Sequence, residues 1–257
     1  MTRHAGKSAL LIILFLVQFI QGQTKPTGQD FAPAALAFGV AAGLEVFGKT
    51  SLMPDNPRFS DPNTFDTMMR EKLFWGKVGQ ETAIRWSDYL LYGVSFSSLL
   101  WGPLADDYPE RAALINAEVL TANAIATNLV KIVSARQRPY HHYSTLPSRG
   151  SDDYASFFSG HTSVAFSQAV ANAMLLSRTY PEHESLIWGS LLSSAGFTAY
   201  LRVAGDMHYT TDVLVGAVVG STIAWVITKN EIDRFPDQTQ GGADFMVTMK
   251  IPLGQRF

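Results

Sequence analysis

The chain has 257 residues, room for one sizeable domain and too few for two large ones. Hydrophobic residues make up 47%, charged residues only 16% and the formal net charge is −2, which excludes disorder, low-complexity classes and a basic nucleic-acid-binding surface. There is no cysteine, so disulfide scaffolds, zinc–thiolate sites, catalytic thiols and a lipidated N-terminal cysteine all drop out. A charge content below the usual ~25% and a mean hydropathy of +0.06 suit a helical protein in, on or near a membrane.

Residues 1–22 form the first element. Arg3, His4 and Lys7 precede an apolar run from Ala9 to Val17, continued by Phe19 and Ile20, before Gln21-Gly22-Gln23 turns polar. A basic head, an apolar stretch too short to span comfortably and a small residue at Gly22 predict a secretory signal cleaved after Gly22, with an uncleaved anchor helix as the alternative. Either reading takes the protein out of the cytoplasm, to the periplasm or cell envelope.

A series of helices follows, predicted over Phe31–Gly48, Thr64–Gly76, Tyr89–Leu104, Ala112–Val130, Thr162–Leu176, Leu186–Leu201 and Val213–Ile227. Pro54 to Pro62, Pro103 with Asp106-Asp107, Pro181-Glu182-His183-Glu184 and the stretch around Gly205 separate them. Several runs fall short of the about 20 apolar residues a spanning helix needs, and Ala112–Val130 carries Asn116, Glu118, Asn123 and Asn128. A compact bundle and a polytopic enzyme with a polar site between its helices both fit. Residues 31–228 are read as one helical domain and 229–257 as a linker with a C-terminal strand or extended arm, since Phe245, Val247, Met249, Ile251 and Leu253 alternate with strand period.

The chemistry gathers at helix ends. The Asn-rich helix ends on Lys131, and six residues further on stand Arg138-Pro139; Ser159-Gly160-His161 opens the next helix; Arg202 closes another, and His208 and Asp212 flank the start of the last. Lys131, Arg138 and Arg202 are permanent cations in a chain sparse in charge, and guanidinium forks match phosphate oxygens. Ser159 can cap its helix, Gly160 admits close backbone approach, and free N–H groups there suit an oxyanion. His208 and Asp212, four apart, share one face of a helical start. A carboxylate on Nδ1 would leave Nε2 as a neutral nucleophile, and His161 beside the cradle would serve as an acid toward a leaving alkoxide. Each feature alone is commonly a cap or a structural histidine; their joint order and shared anion logic point to a phosphate site.

The set Lys131-(six residues)-Arg138-Pro139, Phe158-Ser159-Gly160-His161 and Leu201-Arg202-(five residues)-His208-(three residues)-Asp212 resembles the type 2 phosphatidic acid phosphatase (PAP2) superfamily, which includes bacterial acid phosphatases, lipid phosphatases and vanadium-dependent haloperoxidases. The resemblance covers roughly Phe31 to Ile227. It implies an all-α core and a metal-free, cofactor-free phosphatase site in which His208 becomes phosphorylated, Asp212 orients it and His161 donates the proton. Lys131, Arg138, Ser159, Gly160 and Arg202 would hold the phosphoryl oxygens. Phe158 stands where the family usually has proline and Leu201 where it usually has serine; the first change should loosen the turn into the His161 helix and the second remove a supporting hydroxyl, lowering the rate without deleting a reacting group.

The expected function is an exported, metal-independent phosphatase acting on phosphomonoesters, with lipid phosphates favoured by the apolar content. Membrane association is expected and nucleic acid is not. A vanadate-dependent haloperoxidase and a non-catalytic exported helical protein are the alternatives; chain length argues against the first and the intact charged set against the second. Asp206 reads as a turn residue, His141 and His142 as loop histidines, Asp152 and Asp153 as a gate or a solvated rim, and His183 as exposed.

Overall fold

A computed structural model describes residues 26–48, 51–105 and 109–235. The signal or anchor segment and the C-terminal strand lie outside the described residues. Within them the protein is all-α: α1 (Phe31–Gly43, prolonged by a π-helical turn Leu44–Gly48), α2 (Thr64–Leu73), α3 (Gly76–Ala105), α4 (Pro109–Ser134), α5 (Gly160–Thr179), α6 (Glu184–Ala204) and α7 (Thr210–Arg234), with a single helical turn at Pro139–His142. The described residues contain no strand, only an isolated bridge between Phe59 and Arg136.

The helices outrun the apolar runs that predicted them. Sequence placed a helix over Thr64–Gly76 and the next from Tyr89. Instead α2 stops at Leu73, Gly76 adopts φ +69°, and α3 starts there. Its polar first half was not read as helix, because its buried face is Gln80, Ala83 and Ser87 rather than a conventional apolar stripe. Glycine is the residue that takes a positive φ without a steric penalty, which lets the chain turn sharply between two helices.

Helix α5 is the hub, packed against α3, α4, α6 and α7. Six of its buried positions are Ala or Ser: Ser163, Ala165, Ser167, Ala169, Ala171 and Ala173. Small side chains let neighbouring backbones approach closely. Helix α7 reciprocates with Gly216 and Gly220, four apart on one face. A Cβ on Gly216 would lie 2.7 Å from the Ser159 carbonyl oxygen, and one on Gly220 would strike the Ser163 carbonyl. This contact sets the start of α7, with His208 and Asp212, beside the start of α5, with Ser159 and His161. Apolar burial continues away from the site in a cluster of Ala112, Ile115, Val119, Val170, Leu175 and Ala224.

Three helices among the described residues are long and apolar enough to cross a membrane: Phe31–Gly48, Pro109–Ser134 and Thr210–Arg234. Two of them present matching apolar stripes outward. Leu36, Val40 and Phe47 are 70%, 49% and 68% exposed, and Leu214, Val218 and Trp225 are 55%, 67% and 52% exposed. Large apolar faces of this kind are what lipid or a partner covers.

Candidate active site

Ser159 caps α5, its hydroxyl accepting the Thr162 N–H, and its own N–H donates to the Asp212 carbonyl at 3.1 Å. Asp212 occupies the third position of α7, where its Oδ2 accepts the Tyr209 N–H at 2.9 Å. Its carboxylate thus satisfies an otherwise unpaired donor at the helix start. The two helix starts are therefore stitched together by backbone and cap.

Six of the eight sequence-predicted residues line one cavity of about 400 Å³: Lys131, Arg138, Gly160, His161, Arg202 and His208. Ser159 and Asp212 lie fully buried behind it. Lys131, Arg138 and Arg202 are buried at 7%, 4% and 3% exposure, so their charges act in poorly screened surroundings. A Cβ on Gly160 would sit 3.6 Å from Lys131 Nζ and 3.2 Å from Thr127 Cγ2, which is why glycine fits there. Arg202 keeps a buried Nε–H without an acceptor in the described structure. An uncompensated buried donor is costly, and an oxyanion in the cavity would relieve it.

Hydrogen bonding fixes the His208 tautomer. Arg138 Nη1 lies 3.0 Å from Nε2 and can only donate, whereas the Ser156 carbonyl lies 2.8 Å from Nδ1 and can only accept. Nδ1 therefore carries the proton and Nε2 the lone pair. Sequence reasoning gave the Nδ1 bond to Asp212, but the structure differs: Asp212 Oδ2 is 3.7 Å away, an electrostatic contact, and acts through Ser156, whose hydroxyl it accepts at 2.6 Å. The irregular segment between Tyr154 and Ser159 puts the Ser156 carbonyl between histidine and carboxylate, and nothing local in the sequence announces it. Burial, then Arg138, Arg202 and Lys131, hold His208 well below the usual histidine range, so it stays neutral.

His161 also meets a residue that sequence reasoning missed. Its Nε2–H donates to Asp88 Oδ1 at 2.8 Å, and Arg202 Nη1 reaches the same oxygen at 3.2 Å. Burial, Arg202 and Lys131 push His161 down to about 4, against the pull of Asp88. Asp88 sits in the half of α3 that was not read as helix. A face drawn through Gln80, Ile84 and Asp88 would have found it.

Other expectations sort cleanly. Asp152 lines the cavity and holds Arg138 through both its carbonyl (2.8 Å) and its carboxylate (3.0 Å). Arg149 stands at the exposed rim of the same cavity. Asp153 braces the loop instead, accepting from Tyr140 and the Arg149 N–H, with His141 at 3.2 Å. His141 and His142 do not line the cavity, and His183 is exposed. Asp206, in a left-handed turn conformation, binds Arg70 of α2 through both carboxylate oxygens. Phe158 is buried at 2% exposure, and its ring packs against Phe157, which anchors the turn that proline would have stiffened. Leu201 packs with Ala83 and Ala204 in the core. Behind Asp212 stands Arg136, within the same extended segment as Arg138 and two residues before it.

No solved structure matches the chain. The model of the PAP2 superfamily matches residues 112–235, a stretch that runs from the start of α4 to the end of α7 and contains every residue of the three-part signature. Members of that superfamily are generally phosphatases. The order of the signature along the chain, its convergence on one cationic cavity and this match agree: over residues 112–235 the chain matches the PAP2 superfamily.

Proposed function

We propose that the protein is an exported, membrane-associated phosphatase that hydrolyses lipid phosphomonoesters through a phosphohistidine on His208. The observation that carries this reading is the His208 Nε2 lone pair, fixed by the Ser156 carbonyl and directed at a cavity that holds three buried cations. The phosphoryl group takes Arg138 from Nε2 and lies among Lys131, Arg138, Arg202 and the N–H groups at Gly160. Nε2 then attacks phosphorus and the bond to the leaving oxygen breaks. His161 delivers a proton to that oxygen; Asp88 holds its Nε2–H, so Nδ1 is the nitrogen that takes up and gives the catalytic proton. Water next attacks the phosphohistidine, His161 accepts its proton, and Nε2 regains its lone pair. Ile84, Leu91, Tyr92, Ala124 and Val164 give the cavity an apolar wall suited to an acyl or isoprenoid chain.

Purified protein should hydrolyse a lipid phosphate in excess EDTA and be inhibited competitively by inorganic vanadate, which mimics the trigonal-bipyramidal transition state. Turnover abolished by EDTA and restored by magnesium or zinc would overturn the reading, as would indifference to about 1 mM vanadate. Peroxide-dependent bromination by vanadate-loaded protein, without phosphatase turnover, would select haloperoxidase chemistry instead.

The pH dependence follows from the two histidines. The depressed His208 remains an unprotonated nucleophile as pH falls, whereas the proton-carrying form of His161 becomes more populated. Between about pH 8 and about pH 5 the ratio of alkyl phosphate to aryl phosphate turnover should therefore rise as pH falls, because only the alkyl leaving group depends on His161. Parallel pH–rate profiles for both substrates check this. A flat or falling ratio contradicts it.

A further inference from the structure

The family match begins at residue 112, yet a carboxylate on α2, well before it, is bonded into the support of the nucleophile. Asp66 is fully buried. Its Oδ1 accepts the Thr211 N–H at 2.8 Å, one of the unpaired donors at the start of α7. Its Oδ2 accepts from Thr211 Oγ1 at 2.7 Å and from Arg136 Nη2 at 2.7 Å. Arg136 spans the gap with Nη1 on Asp212 Oδ1 at 2.5 Å and rests its guanidinium over the Tyr209 ring, 4.3 Å from the centroid. Asp212 in turn holds Ser156, whose carbonyl holds His208 Nδ1. An unbroken set of short contacts thus runs from α2 to the nucleophile.

The charges in this set do not cancel. Counted in their ionised forms, two carboxylates share one guanidinium, which leaves one formal negative charge directly behind a neutral His208. Such an excess is costly in a buried place unless something nearby becomes positive. Transfer of a phosphoryl group to Nε2 does that: Nδ1 keeps its proton, and the ring becomes an N-phosphorylated imidazolium. On the cavity side, Lys131, Arg138 and Arg202 meet the transferred phosphoryl oxygens, and the carboxylates behind the ring stand next to its Nδ1–H face.

We infer that Asp66 is a positioning residue for phosphoryl transfer, fixing Arg136 and Asp212 behind His208 and adding negative charge on the side of the ring away from the phosphoryl group. The inference rests on the phosphohistidine reading above. Asp66 touches no substrate; it acts through Arg136 and Asp212. A purely structural role is the alternative, because α2 is also docked by the Arg70–Asp206 pair. Arg70→Gln weakens that docking without touching the chain of contacts to His208.

The test compares full-length wild type, Asp66→Asn, Asp66→Glu and Arg70→Gln by rapid-quench phosphoenzyme formation and by inorganic vanadate binding, with rates normalised to the burst amplitude so that misfolded protein does not count. Asp66→Asn should slow the burst and weaken vanadate binding by about 10–100-fold at nearly unchanged KM, the size seen when an outer partner of a reacting group is lost. Asp66→Glu should recover part of the loss by restoring the charge. Arg70→Gln should lower thermal stability and leave the burst rate within about threefold of wild type. An Asp66→Asn burst rate equal to wild type, equal slowing in Asp66→Asn and Arg70→Gln, or no recovery with a folded Asp66→Glu would each overturn the inference. A wild type that forms no phosphoenzyme and binds no vanadate would instead overturn the phosphohistidine reading on which it stands.

Discussion

His208→Ala should lose turnover and covalent phosphate capture together, by about 10⁴-fold or more, because the other neutral imidazole on the cavity, His161, is tied to Asp88 and is assigned to the leaving group rather than to attack. Arg138 donates to Nε2 at 3.0 Å, so the substitution also frees a guanidinium to bind phosphate. Phosphate or substrate affinity should therefore survive while the chemical step disappears. Rapid quenching with labelled substrate followed by an acid-lability test reads the outcome. Acid-labile phosphoenzyme persisting in His208→Ala would move the nucleophile elsewhere, and so would turnover within tenfold of wild type.

The loss in His161→Ala should depend on the leaving group. An aryl phosphate leaves as a stabilised phenolate and needs little proton donation; an alkyl or lipid phosphate leaves as an alkoxide and needs much. General acid catalysis is typically worth about 10²–10⁴-fold, and that factor should separate the losses on the two substrates. Burial holds His161 at about 4, largely neutral near pH 7. A phosphate dianion entering the cavity raises it again, so the substrate helps to charge its own acid. Removing Asp88 should consequently mimic part of the His161→Ala pattern, since Asp88 both orients the ring and favours its cationic form. Equal losses on aryl and alkyl substrates for His161→Ala would eliminate the general-acid role.

The helical class was legible from the apolar periodicity, and the residues of the proposed phosphate site from three short motifs. Their residues could be named because each lies at a helix terminus, where local chemistry is readable: a cap at Ser159, a glycine at Gly160, a cation at the end of α4. Helix limits were less legible. The polar first half of α3 was missed because its buried face is polar, and Asp88 went with it. Arg136 left a faint signal, an Arg-x-Arg alternation in an extended segment that turns both guanidinium groups toward the His208–Asp212 pair.

Sequence alone determined the inventory of this protein: an apolar helical chain without cysteine, carrying three cations, two histidines and a carboxylate in the order from which the phosphate site is proposed. Those properties are local, set by side-chain type and by spacing within single helices. Tertiary structure decided how they work together. The close α5–α7 approach, permitted by Gly216 and Gly220, sets two helix starts side by side. It also puts the Ser156 carbonyl between His208 and Asp212, Asp88 against His161, and Asp66 of α2 behind Arg136. Such partners lie far apart along the chain, and a sequence records no sign of a contact whose two halves are joined only by packing.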